Sequence, residues 1–203
     1  TSFAQQKGKV WRLGFLTART RQEFLGSDEI GALRAGLRDL GYVEGKNLAI
    51  EWRFAEGKYE RLPELAAELV QLKVDIILAA GSPAISAAQK STTTIPIVIV
   101  SVSDPVGSGF VKTLARPGGN ITGLTNISGD ISPKLLEMLL SMVPRLSRVA
   151  VLVNPANPSH AIVLKNVQSA AQKTSTTILP VEARNAPEIE KAFSAMARGK
   201  AGA

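Results

Sequence analysis

The fold class of this chain is indicated most clearly by the stretch Val74-Asp75-Ile76-Ile77-Leu78-Ala79-Ala80-Gly81-Ser82-Pro83. Its first seven residues are almost all apolar, which is typical of a strand covered on both faces in a parallel sheet. Gly81 then permits a tight turn, Ser82 offers a hydroxyl that can cap a helix, and Pro83 suits the first helical position. A buried strand followed at once by a helix start predicts an α/β architecture.

Strands and helices alternate on both sides of this stretch. The predicted elements of the first region are, in chain order, strand 10–16, helix 27–40, strand 48–54, helix 59–72, strand 74–80, helix 84–90, strand 95–100, helix 105–114 and strand 121–125. Such an alternation favours right-handed crossovers and parallel pairing. We therefore expect a Rossmann-like parallel-sheet lobe.

A second region repeats the pattern but contains fewer strands. Its predicted elements are a helix capped by Ser132-Pro133 and ended by Pro144, strand 148–153, a helix capped by Asn157, strand 176–181 and helix 187–198. Two strands cannot satisfy both edges of an independent parallel sheet. The sequence thus predicts a disordered segment over 1–9, an N-terminal α/β lobe over 10–126 and a partial second α/β lobe over 127–203.

Composition excludes several classes of protein. Of 203 residues, 45% are hydrophobic and 20% charged, which is incompatible with a disordered or fibrous chain. The absence of cysteine excludes a disulfide framework, a thiolate zinc site and a cysteine nucleophile within these residues. The single histidine, His160, is predicted in the first turn of a helix, where a solvated or capping role is favoured over a functional one.

The net charge of +7 raises the question of a nucleic-acid partner. The basic residues are scattered as singles and pairs, such as Arg34 with Arg38, and aromatic residues make up only 5% of the chain. We therefore expect no nucleic-acid partner. No stretch approaches the roughly 20 apolar residues that a membrane-spanning helix needs.

The loops that follow the strands are the candidate ligand site. In open α/β sheets, ligands bind outside the carboxyl ends of the strands. Four such loops carry small polar groups, namely 17–20, 81–83, 101–105 and 154–157. The last three are predicted to lead into helix N-termini, which favour an anion such as a carboxylate. The alternative is that Ser82, Asp104 and Asn157 are only helix caps.

No catalytic motif is present at these loops. The first strand runs into Thr17-Ala18-Arg19-Thr20, which lacks the glycines of a dinucleotide-binding turn, and the chain has neither a Walker-type loop nor a Gly-x-Ser-x-Gly elbow. Asp104 could act as a general base, but no second titratable group stands at a matching loop. We expect binding without catalysis, and no metal or cofactor.

Several motifs in order carry a resemblance to a known family. They are Gly41-Tyr42-Val43-Glu44-Gly45-Lys46-Asn47, the stretch 59–70, Ser103-Asp104-Pro105-Val106-Gly107, the stretch 115–123 and Val153-Asn154-Pro155-Ala156-Asn157-Pro158. From Val10 onward the chain resembles the ABC transporter substrate-binding proteins of the tryptophan/tyrosine-binding type. Gln5-Gln6 also resembles the start of mature members after signal-peptide removal.

The resemblance implies a type I periplasmic binding protein: two Rossmann-like lobes that clamp a small solute and deliver it to a membrane permease. It implies a periplasmic location and a ligand that is an amino acid or a related carboxylate. By the same resemblance, the residues expected to line the cleft are Thr17, Ser82, Ser103, Asp104, Thr125, Asn126 and Asn154.

The sequence departs from the family near its C-terminus. Family members continue past the position of Arg198 into further strands, whereas this sequence stops at Ala203. By the resemblance, the chain is either a C-terminally truncated member or one that completes its sheet with another copy, and we expect an unpaired sheet edge and self-association through it. Two other functions stay open on the same fold, because fold does not fix function: a ligand-sensing effector module of a regulatory system and a Rossmann-like enzyme.

Overall fold

A computed structural model describes residues 8–126 and 128–203. These residues divide into two compact units. Unit 1 comprises the described residues up to Val100 together with Phe110–Leu124, and unit 2 comprises Ser101–Gly109 and Thr125–Ala203. Residues 1–7 of the segment predicted to be disordered lie outside the described part, as does Ile127. The lobe boundaries 10–126 and 127–203 stay a prediction.

The larger sheet has five strands, and the predicted parallel α/β fold is confirmed. The strands are β1 (Trp11–Thr17), β2 (Leu48–Phe54), β3 (Ile76–Ala80), β4 (Ile97–Val102) and β5 (Ile121–Thr125), in the spatial order β2-β1-β3-β4-β5. The ladders β1 with β2, β1 with β3 and β3 with β4 are parallel. Thr17 is opposite Phe54 on one side and Ala80 on the other, so the carboxyl ends of three strands meet at one edge.

The helices of unit 1 are α1 (Arg21–Leu25), α2 (Asp28–Asp39), α3 (Leu62–Gln71) and α4 (Ser82–Ser91), with a single 3₁₀ turn at Tyr59–Arg61 before α3. The short α1 was not predicted. The predicted capping role of Ser82 is wrong, because the N-cap of α4 is Gly81, whose φ of +87° suits glycine, and Ser82 is already helical.

Close packing of α3 on the sheet explains a glycine in the central strand. A Cβ at Gly14 of β1 would lie 2.9 Å from Leu69 Cδ2, closer than real Cβ contacts. Leu69 is fully buried. On the other face of the sheet, Phe15, Phe24 and Phe54 form a buried aromatic cluster under α1 and α2. Both faces of β1 are therefore covered, as its apolar sequence requires.

Unit 2 contains α5 (Ser128–Met142), β6 (Arg148–Val153), α6 (Pro158–Ala171), β7 (Thr177–Glu182) and α7 (Ala186–Arg198). β6 and β7 form a two-stranded parallel sheet. The last two residues lie along the other edge of β6: Gly202 N–H donates to the Arg148 carbonyl (2.9 Å), and Ala150 N–H donates to the Ala203 carbonyl (2.7 Å). The first part of that edge is therefore paired within the chain.

The helix predicted over 105–114 is wrong, because the chain forms successive turns there. Asp104 Oδ1 accepts a hydrogen bond from Gly107 N–H (2.7 Å), and Gly109 has a φ of +73°. A side-chain turn of this kind competes with helix formation. Pro105 and Phe110 are buried, whereas Val106 and Leu114 are exposed. The apolar residues of this segment therefore do not form the single buried face that a helix here would need.

The start predicted for α5 is also wrong, since the helix begins at Ser128 and Pro133 lies inside it. A proline at this position removes the N–H that would donate to the carbonyl of Gly129. That carbonyl instead accepts from Ser132 Oγ (2.8 Å) and from Asn166 Nδ2 of α6 (3.2 Å). These two donors offset the missing backbone bond, so the helix tolerates its proline.

Candidate functional site

Two predicted ligand residues lie at the carboxyl edge of the unit 1 sheet. Thr17 ends β1 and is buried, and its Oγ1 accepts a hydrogen bond from Arg19 N–H (3.3 Å). Ser82 is buried as the first residue of α4. Because Thr17 is in register with Ala80 of β3, Ser82 follows two residues beyond the same edge. The structure thus brings Thr17 and the start of α4 to neighbouring strand ends.

Four further predicted residues lie in unit 2, two of them bonded to the Val102 carbonyl and two next to Val102 in the chain. Thr125 Oγ1 and Asn126 N–H both donate to the carbonyl of Val102, each at 2.8 Å. Val102 immediately precedes Ser103 and Asp104. The ends of β4 and β5 therefore place Ser103, Asp104, Thr125 and Asn126 together.

The start of α5 adjoins this group. Asn126 Oδ1 accepts from Ser128 N–H (3.1 Å), which ties the end of β5 to the first helical residue. A Cβ at Gly129 would be 3.6 Å from Ser103 Cβ, an ordinary contact distance. The side chains of the group are thus set beside a helix N-terminus, where free N–H groups and the helix dipole favour an anion.

Asn154 follows β6 and is held by His160, for which no specific partner was predicted. Asn154 N–H donates to His160 Nδ1 (2.8 Å), and Asn154 Oδ1 accepts from Ala156 N–H (3.0 Å). Burial of the ring lowers the pKa of His160, which favours the neutral form that this bond requires. The predicted cap is confirmed, since Asn157 Oδ1 accepts from Ser159 N–H (3.1 Å). His160 thus fixes the loop that carries Asn154.

The chemistry of these groups is that of recognition. They supply hydroxyls, amides, backbone N–H groups and the Asp104 carboxylate. Within residues 8–126 and 128–203, no three His, Cys, Asp or Glu side chains cluster as metal ligands, and no helix is both long and apolar enough to cross a bilayer.

The fold defines the class first. A protein from Vibrio cholerae described as a conserved domain protein has a TM-score of 0.83 at 26% identity, with 94% of this chain and 63% of that chain covered. An ABC domain from Streptococcus pneumoniae, solved in complex with L-Trp, has a TM-score of 0.81 at 21% identity over 95% of this chain and 63% of that chain. The architecture is that of a type I periplasmic binding protein.

Sequence comparison then gives the family. Residues 27–203 match the family described as ABC transporter substrate binding protein, and the chain belongs to that family. The chain is 30% identical over 161 residues to a "Tyrosine-binding protein" of Clostridioides difficile (strain R20291). The aligned residues are 79% of this chain and 46% of that protein. The chain therefore spans about half the length of this curated relative.

Proposed function

We propose that this chain is the extracytoplasmic solute-binding component of an ABC importer and that it binds an amino acid or a related small carboxylate. Its membership of a substrate-binding family supports the general role. The relative described as a tyrosine-binding protein supports the ligand class. The proposal includes a periplasmic location, a membrane permease as the partner that receives the solute, and binding without chemical conversion.

One structural observation carries the choice of a carboxylate. Helices α4, α5 and α6 each begin within five residues of the end of a strand, and predicted ligand residues stand at each of these three junctions. N-terminal N–H groups and the helix dipole favour a negatively charged group, each such interaction being worth about 0.3–1 kcal/mol. We propose that the ligand contacts are Thr17, Ser82, Ser103, Asp104, Thr125, Asn126 and Asn154.

A thermal-shift screen of the twenty amino acids, benzoate and neutral sugars tests this function. A ligand present at about 100 times its dissociation constant stabilises the folded state by about 2.7 kcal/mol. We expect stabilisation by one or more amino acids and none by the sugars. Stabilisation by sugars alone would contradict the carboxylate assignment, and the absence of any shift would contradict solute binding by this chain.

The proposal also includes self-association through the smaller sheet. Among the described residues, no strand pairs with the outer side of β7, and beyond Ala150 no hydrogen bond joins the second edge of β6 to another segment. Open edges of this kind pair with other chains. We expect light scattering at micromolar concentration to give the mass of a dimer or larger assembly. A mass equal to one chain would contradict this part of the proposal.

A further inference from the structure

The motif Gly41–Asn47 carries part of the family resemblance but contributes nothing to the candidate ligand site. It forms one wall of a cavity of about 210 Å³ in unit 1, between the C-terminal end of α2 and the start of β2. The lining residues are Arg34, Leu37, Arg38, Tyr42, Val43, Glu44, Leu48 and Ile50.

This cavity lies at the opposite end of the sheet from Thr17 and Ser82, the candidate ligand residues of unit 1. Leu48 pairs with Trp11 at the start of β1, whereas Thr17 pairs with Phe54 at its end. The six-residue separation along a strand corresponds to about 20 Å. The cavity is therefore a separate site on unit 1.

Hydrogen bonds hold the walls of the cavity in place. Gly41, with a φ of +85°, ends α2 by donating its N–H to the Arg38 carbonyl (2.9 Å), while Tyr42 N–H donates to the Leu37 carbonyl (2.8 Å). This is the Schellman arrangement of a helix end. Asn47 braces the same loop, because its Oδ1 accepts from Val43 N–H (2.7 Å) and its Nδ2 donates to the Gly41 carbonyl (2.9 Å). The cavity is thus formed in advance of any binding.

The charges around the cavity are predominantly positive. Arg34 Nε lies 3.2 Å from Glu44 Oε2, but both side chains are about 40% or more exposed, and an exposed pair of this kind holds its partners weakly. The guanidinium of Arg34 also lies over the Trp52 ring, 5.6 Å from its centroid. Within the described residues, Arg38 makes no ion pair and is exposed. The rim therefore presents two cations and one carboxylate above apolar side chains.

The neighbouring strand offers a backbone edge. β2 is the outer strand of the five-stranded sheet, and no described strand pairs with its other side. The 43–45 turn covers only Leu48, whose N–H donates to the Val43 carbonyl (3.2 Å) and whose carbonyl accepts from Gly45 N–H (3.0 Å). Beyond Leu48, the Arg53 side chain covers one carbonyl of this edge, since its Nη1 donates to the Trp52 carbonyl (3.0 Å). An extended segment that adds to the edge as a strand would displace that side chain from the carbonyl.

We infer that this face of unit 1 docks an extended acidic segment of a partner protein, with one apolar side chain anchored in the cavity. The volume is below the range of roughly 300–1,000 Å³ that is usual for whole small-molecule ligands, and it suits a single side chain. Acidic residues on either side of the anchor face Arg34 and Arg38, and the segment adds to the outer edge of β2, with which no described strand pairs. The inference does not depend on the proposed solute function.

The test uses the whole chain, labelled with ¹⁵N, and a capped five-residue peptide. The peptide has leucine at its centre, threonine on either side of it and aspartate at both ends, so that the leucine and both aspartates share one face of a strand. We expect saturable shifts of the backbone amides of Val43, Ile50 and Trp52. We also expect the affinity to fall at least tenfold in Arg38→Glu and to remain unchanged in Arg116→Glu, a matched change at an exposed arginine elsewhere in unit 1.

Four results would overturn the inference. These are the absence of saturable shifts at the β2 edge, equal affinity in Arg38→Glu and wild type, equal binding of a peptide with lysine in place of both aspartates, or full reproduction of the shifts by acetate alone. The last result would instead identify a site for small anions.

Discussion

His160 Nδ1 accepts a hydrogen bond of 2.8 Å from the backbone N–H of Asn154, and this bond joins the first turn of α6 to the loop after β6. The imidazole can accept at Nδ1 only when that nitrogen is unprotonated. The conformation of a proposed ligand residue is thus linked to the protonation state of the one histidine in the chain.

Two replacements of His160 distinguish the effect of its hydrogen bond from the effect of its titratable ring. His160→Leu leaves the Asn154 N–H without this acceptor, and we expect a loss of about 1–3 kcal/mol in the free energy of unfolding. His160→Asn supplies an oxygen near the position of Nδ1 and should retain most of the stability. Urea denaturation at pH 7.5 measures both. Equal losses in the two variants would show that packing of the ring, and not the hydrogen bond, holds this loop.

The same bond predicts how stability depends on pH. Burial lowers the pKa of His160 below its usual 6.5, so the unfolded chain takes up this proton at a higher pH than the folded protein does. The contribution is fully present above about pH 6.5 and is lost as the pH falls through the lowered pKa of the folded state. We expect wild type to lose more stability than His160→Asn between pH 7.5 and pH 5. Parallel pH profiles for the two proteins would contradict this assignment.

Pro133 in α5 depends on two side chains that bond the carbonyl of Gly129. We expect Ser132→Ala together with Asn166→Ala to leave that carbonyl unpaired and to cost about 1–3 kcal/mol. Pro133→Ala restores a backbone N–H that can donate to the same carbonyl. Added to the double variant, it should recover a substantial part of the loss, as measured by thermal unfolding. A triple variant no more stable than the double one would show that Gly129 is not the cause.

The carboxylate of Asp104 occupies the space that a side chain at residue 107 would need. A Cβ at Gly107 would overlap that carboxylate, so we expect Gly107→Ala to open the 104–107 turn. Ligand affinity should then fall at least tenfold, since Asp104 is a proposed contact. Gly119→Ala is the matched control, because no heavy atom lies within 4 Å of a Cβ there. Calorimetric titration measures both variants, and unchanged affinity in Gly107→Ala would remove Asp104 from the site.

The strands could be predicted because buried parallel strands are nearly continuous apolar segments. β3 and β4 are of this kind, and their predicted positions differ from the observed ones by only a few residues. The helix predicted over 105–114 was wrong. Val106, Phe110 and Leu114 do have helical spacing, but the local turn at Asp104 is the stronger preference. The spacing of apolar residues along the chain does not show whether the folded protein offers a surface on which such a helix can pack.

The predicted start of α5 was wrong for a different reason. The donor that compensates for Pro133 comes partly from Asn166, which is 37 residues away from Gly129 in the chain. A contact so distant in sequence leaves no local signal. The role of His160 was missed for a similar reason, although a histidine in the first turn of a helix that follows a buried strand is a usable signal for such a contact. The candidate site followed from the rule that ligands bind at strand ends, and its residues stay a prediction.

Isothermal titration calorimetry with each of the twenty amino acids, beginning with L-tyrosine and L-tryptophan, measures whether this chain binds an amino acid. We expect saturable binding of at least one amino acid at a single site, and affinity at least tenfold lower when Asn154 is replaced by alanine. Flat titrations with all twenty amino acids, from a chain whose folding is confirmed by circular dichroism, would contradict the claim that this chain binds an amino acid.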